Sequence, residues 1–214
     1  DADALEVYLT DEVNLGALTL SPGVRYSSIN YSYEGTNART LSDTLLGVGA
    51  VYAMSDTMSI FGGVHQGHSF PDAESASSYI DLGDDNAVGG TGDDADEMGF
   101  RNEEKSLNLE LGVRGNLSKI YYELVYFNTQ LEDMLALKSA SSDTDKSFNL
   151  GDSTIQGLEL LLATDLGSDA GIRIPVQLSA TFTDAEYDST SAATSGYLKG
   201  AVAGAAFPYS ADTK

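Results

Sequence analysis

An unbroken alternation of apolar and polar residues runs through LNLELGVR, from Leu107 to Arg114. Its apolar positions are Leu107, Leu109, Leu111 and Val113, and its other positions are Asn108, Glu110, Gly112 and Arg114. Because successive side chains of a β-strand point to opposite faces, this segment predicts a strand with one apolar face. Two environments fit: a soluble sheet with the leucines in a core, or a membrane barrel with the leucines in lipid and the charges in a wet lumen.

Strand-like segments of this kind make up most of the chain. We predict eight strands, at Ala4–Thr10, Gly16–Tyr33, Asp43–Met54, Met58–Ser69, Lys105–Asn116, Lys119–Met134, Ser153–Asp165 and Gly171–Ala185. A ninth strand is expected to begin near Pro208. Within the eighth, Pro175 lacks the N–H that a ladder requires, which predicts a bulge or a locally unpaired site.

The predicted connections alternate in length. The short ones are Asp11–Leu15, Ser55–Thr57, Gly115–Ser118 and Leu166–Ala170, and the longer ones are Glu34–Ser42, Pro71–Glu104, Leu135–Asp152 and Glu186–Phe207. In an up-and-down barrel, alternate connections lie at the same end. Outer-membrane barrels combine short periplasmic turns with long extracellular loops. The alternation therefore favours the membrane barrel, with the leucines toward lipid.

The composition excludes several classes of function. With 11 Lys and Arg against 33 Asp and Glu, the net charge of −22 argues against a nucleic-acid partner, because phosphate backbones need basic surfaces. The chain has no Cys and only two His, so thiolate chemistry is impossible and a Ser-His-Asp triad is poorly supplied. We find no catalytic constellation and expect a protein that is not an enzyme.

Six segments resemble, in order, the barrel of TonB-dependent outer-membrane receptors, and most closely the ferric dicitrate receptor type. They are LTLSPGVRYSSINY (Leu18–Tyr31), LLGVGAVYAMSDTMSIFGGVHQGHSFP (Leu45–Pro71), EEKSLNLELGVRG (Glu103–Gly115), YYELVYFNTQLEDML (Tyr121–Leu135), FNLGDSTIQGLEL (Phe148–Leu160) and LSATFTDAEY with the later FPYSADTK. The order of the six segments is more specific than any one of them.

This resemblance implies an all-β fold, an antiparallel up-and-down transmembrane barrel with long extracellular loops and short periplasmic turns. Residues 1–214 would supply about eight strands of a 22-stranded barrel, with the plug domain and the C-terminal strands outside this sequence. The resemblance also implies an outer-membrane receptor of a Gram-negative bacterium, in contact with outer-membrane lipid. Such a receptor would take up a ferric chelate similar to ferric citrate, a siderophore-like ligand, with energy from the TonB complex acting through the plug.

Two alternatives remain open at this point. A passive outer-membrane channel would share the barrel but lack the plug. A secreted acidic β-protein that binds Ca²⁺ or carbohydrate would instead pack a second layer over the leucines between Leu107 and Val113.

Four residues are candidates for ligand contact: His65, His68, Arg101 and Gln156. The histidines lie near the outer end of a predicted strand, and their spacing of three places them on opposite faces, which argues against a shared metal. Arg101, in the longest loop, is either a clamp for the substrate or a local charge partner. The side chains expected to face the lumen, where they would contact plug, substrate or one another, are Arg25, Asn108, Glu110, Arg114, Gln156, Arg173 and Gln177.

The densest acidic segment is DLGDDNAVGGTGDDADE, Asp81–Glu97. Clustered carboxylates suit a hard cation, so a Ca²⁺ site formed by Asp84, Asp85, Asp93 and Asp94 is one interpretation, and a solvated outer loop is the other. No other cofactor is expected. The tyrosines of Tyr26–Tyr33 and Tyr121–Tyr126 suit an aromatic girdle at the membrane interface, or else a stacking platform in the lumen.

Overall fold

The computed structural model describes residues 2–32, 39–71, 80–81, 98–99, 102–137, 147–149, 151–167, 171–190 and 202–207. Thirteen β-strands lie within these ranges: β1 (Ala2–Thr10), β2 (Val13–Leu15), β3 (Leu18–Tyr31), β4 (Arg39–Ser55), β5 (Met58–Ser69), β6 (Ile80–Asp81), β7 (Met98–Gly99), β8 (Glu104–Leu117), β9 (Ile120–Glu132), β10 (Leu135–Leu137), β11 (Ser147–Asn149), β12 (Ser153–Asp165) and β13 (Pro175–Tyr187). None of the described residues belongs to a helix with the length and hydropathy of a membrane span.

Eight of these strands form one antiparallel sheet in the order β1-β3-β4-β5-β8-β9-β12-β13, and the short β2 pairs with β3. The eight predicted strands and their up-and-down order are therefore confirmed, with shifts at the strand ends. The short connections, at 56–57 and 118–119 for example, all join the strands at the same end, which we call the turn end. The opposite end of the strands is the loop end, where the longer connections begin and return.

The connection between β12 and β13 corrects two expectations. Pro175 is the first residue of β13, where its missing N–H interrupts no ladder, so it marks no internal bulge. Arg173 precedes β13 and does not line the wall. Its Nε lies 3.4 Å from Asp165 Oδ2, while Asp165 Oδ1 accepts hydrogen bonds from the amides of Ile174 (2.8 Å) and Gly167 (3.0 Å).

These hydrogen bonds, from Ile174 first and then Gly167, hold the pKa of Asp165 below its ordinary value. A lowered pKa in the folded state means that the carboxylate stabilises the turn above about pH 4, the ordinary value for Asp. This contribution is lost as the pH falls through the lowered pKa.

The predicted ninth strand falls on residues 208–214, outside the described ranges. Immediately before it, the chain already runs beside the end of β13. Glu186 and Ala206 form an antiparallel bridge, Tyr187 N donates to Ala205 O and Phe207 N donates to Ala185 O, both at 3.0 Å.

The strand register sorts the side chains into two faces. One row of cross-strand partners, which defines the apolar face, reads Leu18, Tyr52, Ile60, Val113, Leu124, Leu160 and Ala180. A row that defines the other face, the polar face, reads Ser21, Gly49, Gly63, Glu110, Phe127, Gly157 and Thr183. The faces continue from strand to strand without interruption, as expected for a single curved wall.

The apolar face is not covered by a second layer of described residues. Leu107, Leu109 and Leu111 are 43%, 42% and 57% exposed. Along β8 the apolar positions extend from Leu107 to Leu117, roughly 33 Å of strand at ~3.3 Å per residue, or about 25 Å of height at the usual barrel tilt of ~40°. This height matches the apolar band of an outer-membrane barrel.

The described tyrosines of the two predicted segments divide between the two faces, and Tyr33 lies outside the described residues. Tyr26, Tyr122 and Tyr126 share the apolar face with the leucines, whereas Tyr31 and Tyr121 lie on the polar face. The girdle interpretation therefore fits only the first group.

Candidate functional site

Two neighbouring depressions lie on the polar face. The larger, with a volume of about 440 Å³, has a floor that includes Gly23, Gly47, Gly49 and Gly63 and walls that include His65, Glu110 and Arg114. The smaller, of about 350 Å³, brings together Glu110, Glu123 and Glu159 with Phe61 and Phe127. Phe61 and Glu110 line both depressions, so the two form one continuous surface.

Two aromatic rings lie over two further glycines of this face, and at Gly157 the backbone oxygen of Phe182 would also obstruct a Cβ atom. A Cβ atom on Gly112 would come within 2.9 Å of Phe61 Cε1, and one on Gly157 would come within 2.8 Å of Phe127 Cε1. The phenyl rings therefore lie directly over glycine backbone on the adjacent strand. Gly49, in the floor of the larger depression, differs, because its nearest neighbour would be Ser21 Cβ at 3.9 Å.

The charges of this surface are unbalanced. Arg114 places its guanidinium 4.9 Å above the Phe61 ring, and Glu123 Oε2 accepts a 2.6 Å hydrogen bond from Tyr121 Oη. Among the described residues, neither Glu110 nor Glu159 has a hydrogen bond or an ion pair through its side chain. Their carboxylates leave excess negative charge at the centre of the polar face.

Toward the loop end, uncharged polar groups replace the carboxylates. Thr129 Oγ1 donates to Asn108 Oδ1 at 2.9 Å, and Asn108 Nδ2 donates to Ser106 Oγ at 3.0 Å. His65 is the cross-strand partner of Asn108 and Gly47, so it stands beside this network on the polar face.

His68 occupies a different environment, at the loop end of β5. Its ring is 4.3 Å from that of Phe70, and Phe70 packs against the buried pair Tyr31 and Leu41. The His68 Nδ1 atom is buried without a hydrogen-bond partner among the described residues. The structure therefore does not combine the two histidines into one site.

Gln156 requires a correction. Its cross-strand partners are Asn128 and Asp184, and it lies on the same face as Leu158, outside the polar face on which we expected it. Its Oε1 accepts a 3.2 Å hydrogen bond from Tyr126 Oη. A charged residue of this strand that does face inward, and that the sequence interpretation missed, is Glu159. The alternation of Leu158 and Leu160 with Gly157 and Glu159 is the sequence signal that could have identified it, but Leu161 interrupts that alternation.

The other candidates lie outside the described residues: Arg101, and the proposed calcium ligands Asp84, Asp85, Asp93 and Asp94. Within the described residues, no group of three or more His, Asp or Glu side chains is arranged to hold a metal ion.

A small apolar cluster stands at the loop end of the polar face, where β3 meets β4. Tyr31 and Leu41 are buried, with Ile29 and Phe70 packed against them. Burial beside this cluster lowers the pKa of Arg39 from its ordinary value, and the charges of Glu103 and Tyr31 offset only part of that effect. Arg39 remains fully protonated at physiological pH.

An antiparallel up-and-down sheet with a continuous uncovered apolar face of this height and a polar opposite face defines the wall of a transmembrane β-barrel. Residues 1–210 match the family described as TonB dependent receptor-like, beta-barrel, and the chain belongs to that family. No curated protein matches the sequence.

Solved structures share the fold. The FrpB iron transporter from Neisseria meningitidis (F5-1 variant) superposes with a TM-score of 0.65 at 16% identity, over 87% of this chain and 26% of its own. BauA, the ferric preacinetobactin receptor from Acinetobacter baumannii, superposes with a TM-score of 0.61 at 16% identity, over 89% of this chain and 26% of its own. The ferric citrate transporter FecA in the unliganded form superposes with a TM-score of 0.59 at 17% identity, over 87% of this chain and 26% of its own.

The chain thus spans about a quarter of the length of these structures. The resemblance to TonB-dependent receptors is confirmed. The ferric dicitrate type is not distinguished, because the similar structures bear the names of different ligands. In a barrel of this family the apolar face is the one that meets lipid, and the polar face is the one that lines the lumen.

Proposed function

We propose that this chain is part of an outer-membrane receptor of a Gram-negative bacterium that takes up a ferric chelate with energy from the TonB complex. The match of residues 1–210 to the TonB-dependent receptor barrel carries this proposal. The uncovered apolar face supports it, because a secreted soluble β-protein would hold those leucines in a core. The mechanism is binding followed by gating, without a covalent step.

The proposed cargo is a ferric chelate similar to ferric citrate. Two observations support it: the sequence motifs predicted the ferric dicitrate type, and the similar structures include the ferric citrate transporter FecA and a ferric preacinetobactin receptor. His65, beside the uncharged network of Asn108 and Thr129, is the described candidate best placed to contact a chelate that enters from the loop end.

Uptake of radioactive iron by cells tests this function. Deletion of the gene is expected to abolish uptake of ferric citrate, and a protonophore is expected to stop uptake in the parent strain, because the TonB complex draws on the proton gradient. Uptake that persists with the protonophore would indicate a passive channel. Unchanged ferric citrate uptake in the deletion strain, with loss of another chelate, would overturn the proposed cargo but leave the receptor function intact.

We further propose that Glu110 and Glu159 contact the plug domain and not the cargo. An anionic chelate would be repelled by these two carboxylates and by Glu123 beside them. Basic side chains of a plug in the lumen would instead supply the partners that the described wall lacks.

The double variant Glu110→Gln with Glu159→Gln is therefore expected to weaken plug attachment by about 1.5–3 kcal/mol, the usual range for hydrogen bonds to charged groups. Urea unfolding of a fluorescently labelled plug in the full-length receptor measures the effect. Glu6→Gln is the matched control, because the Glu6 carboxylate already pairs with Arg25 of the wall, 3.6 Å away. An unchanged plug midpoint in the double variant would contradict the assignment.

A further inference from the structure

The wall is not paired uniformly along its height. Backbone pairing between β4 and β5 runs from the turn end to Gly47 and His65 and stops there. Beyond this point β4 continues to pair with β3 as far as Arg39, and β5 continues to pair with β8 as far as Ser69. The segments Arg39–Leu46 and Gln66–Ser69 therefore face each other without a ladder, and we call this boundary the seam.

Side-chain oxygens occupy the hydrogen-bond positions that a ladder would fill. Leu46 N donates to Gln66 Oε1 at 2.9 Å, and Thr44 N donates to Asp43 Oδ1 at 2.8 Å. Alternate residues of an antiparallel strand direct their N–H groups to the same side, so both donors lie on the β5 side of β4. At these two positions the seam is thus closed by side chains, and both backbone donors are satisfied.

An ion pair crosses the seam from β8, the strand beyond β5. Lys105 Nζ lies 3.5 Å from Asp43 Oδ2 and 3.3 Å from Glu103 Oε1. The two carboxylate side chains are only 20% and 14% exposed, whereas that of Lys105 is 47% exposed. Lys105 therefore ties the start of β8 to β4 where β5 does not.

The segment that follows β5 is fastened across the same boundary. Tyr31 Oη, from β3, donates to the carbonyl oxygen of Pro71, and Phe70 packs on Tyr31 and Leu41. Both described ends of the connection between β5 and β8, at Pro71 and at Glu103–Lys105, thus contact the β3–β4 hairpin. Each tether across the seam is a side-chain contact that can break without disrupting a backbone ladder.

We propose that the loop end of the wall opens along the seam, with Lys105 as the latch that holds it closed. The β3–β4 hairpin moves as one unit and the β5–β8 hairpin as the other, and the hinge lies at Gly47 and His65. Below that level the β4–β5 ladder, which is irregular only at Ala53–Ser55 near the turn, keeps the wall closed. The part of the lumen entrance that these described strands form consequently has a movable section, independent of the identity of the cargo.

Amide hydrogen exchange in the full-length receptor tests this proposal. In the wild type, Thr44 and Leu46 are expected to exchange faster than Val48 and Ala50, which lie on the same face of β4 below the hinge. Lys105→Met keeps the aliphatic stem but removes the charge. It is expected to speed exchange at Thr44 and Leu46 by about two- to fivefold, the shift that loss of a partly exposed ion pair brings, and to leave Val48 and Ala50 unchanged. In 1 M NaCl the wild type is expected to approach the variant.

Two further variants make the result decisive. Arg25→Met removes an ion pair between β1 and β3, which are joined by a full ladder, so exchange in those strands should not change. Asp43→Asn combined with Lys105→Met should add less than the sum of the single effects. Equal amide exchange rates above and below Gly47 in the wild type would contradict the proposal that the wall opens along the seam. An unchanged exchange rate at Thr44 and Leu46 in Lys105→Met, or faster exchange along all of β4, would contradict the proposal that Lys105 holds the seam closed.

Discussion

Leu160→Arg is expected to prevent most of the receptor from reaching the folded state in the membrane, whereas Leu161→Arg is expected to be tolerated. The two leucines are adjacent on β12 but lie on opposite faces. Leu160 pairs with Leu124 and Ala180 in the middle of the apolar face, and Leu161 pairs with Glu123 and Ser179 on the polar face. An arginine at the lipid midplane costs about 2–4 kcal/mol, while one beside Glu123 gains a carboxylate partner.

The fraction of folded receptor in the membrane, measured by gel mobility of unheated samples, checks this prediction, and urea unfolding of the purified proteins gives the free-energy difference. Because both variants change the same residue type at nearly the same depth, each is the control for the other. Equal loss in the two variants, or greater loss for Leu161→Arg, would mean that the two faces have been assigned incorrectly.

Gly112→Ala is expected to have the second large effect. It should destabilise the barrel by about 1–3 kcal/mol, the usual cost of overpacking. The added methyl group would collide with the Phe61 ring, which lies over the Gly112 backbone. Gly49→Ala is the matched control, an interior strand glycine on the same face with open space above it. It is expected to be neutral or to stabilise by up to about 1 kcal/mol, because alanine restricts the unfolded chain.

A double-mutant cycle with Phe61→Ala isolates the cause. Once the ring is removed, the cost of Gly112→Ala in urea unfolding is expected to fall below about 0.5 kcal/mol, since the three atoms nearest to the new methyl group all belong to that ring. A cost that stays the same in both backgrounds would show that backbone conformation, and not the ring, requires glycine at this position.

Most of the fold follows from local sequence patterns. Strict alternation from Leu107 to Arg114 predicts both the strand and its two faces, and the structure confirms them in β8. The eight strands and their alternating connections were likewise predictable, because a half-buried or lipid-facing strand repeats every two residues wherever it occurs. The strand ends were less predictable, as Pro175 and Arg173 illustrate, because the end of a ladder depends on the partner strand.

The candidate site was predictable only in part. Glu110, Arg114 and Asn108 follow from an unambiguous alternation, and the structure places all three on the polar face. On β12, three consecutive leucines at positions 160–162 hide the alternation, and Gln156 was assigned to the wrong face while Glu159 was missed. A run of apolar residues contains no period, so the face of each residue is set by its partners on β9 and β13.

The sequence by itself determined the eight strands and the alternation of faces along most of them, because that information lies within each strand. Only the tertiary structure decided which carboxylates share the lumen, which rings cover which glycines, and where the ladder between β4 and β5 ends. These features join residues far apart in the chain, such as Asp43 with Lys105 and Phe61 with Gly112. No local period encodes such pairs, because their geometry depends on register and on the twist of neighbouring strands.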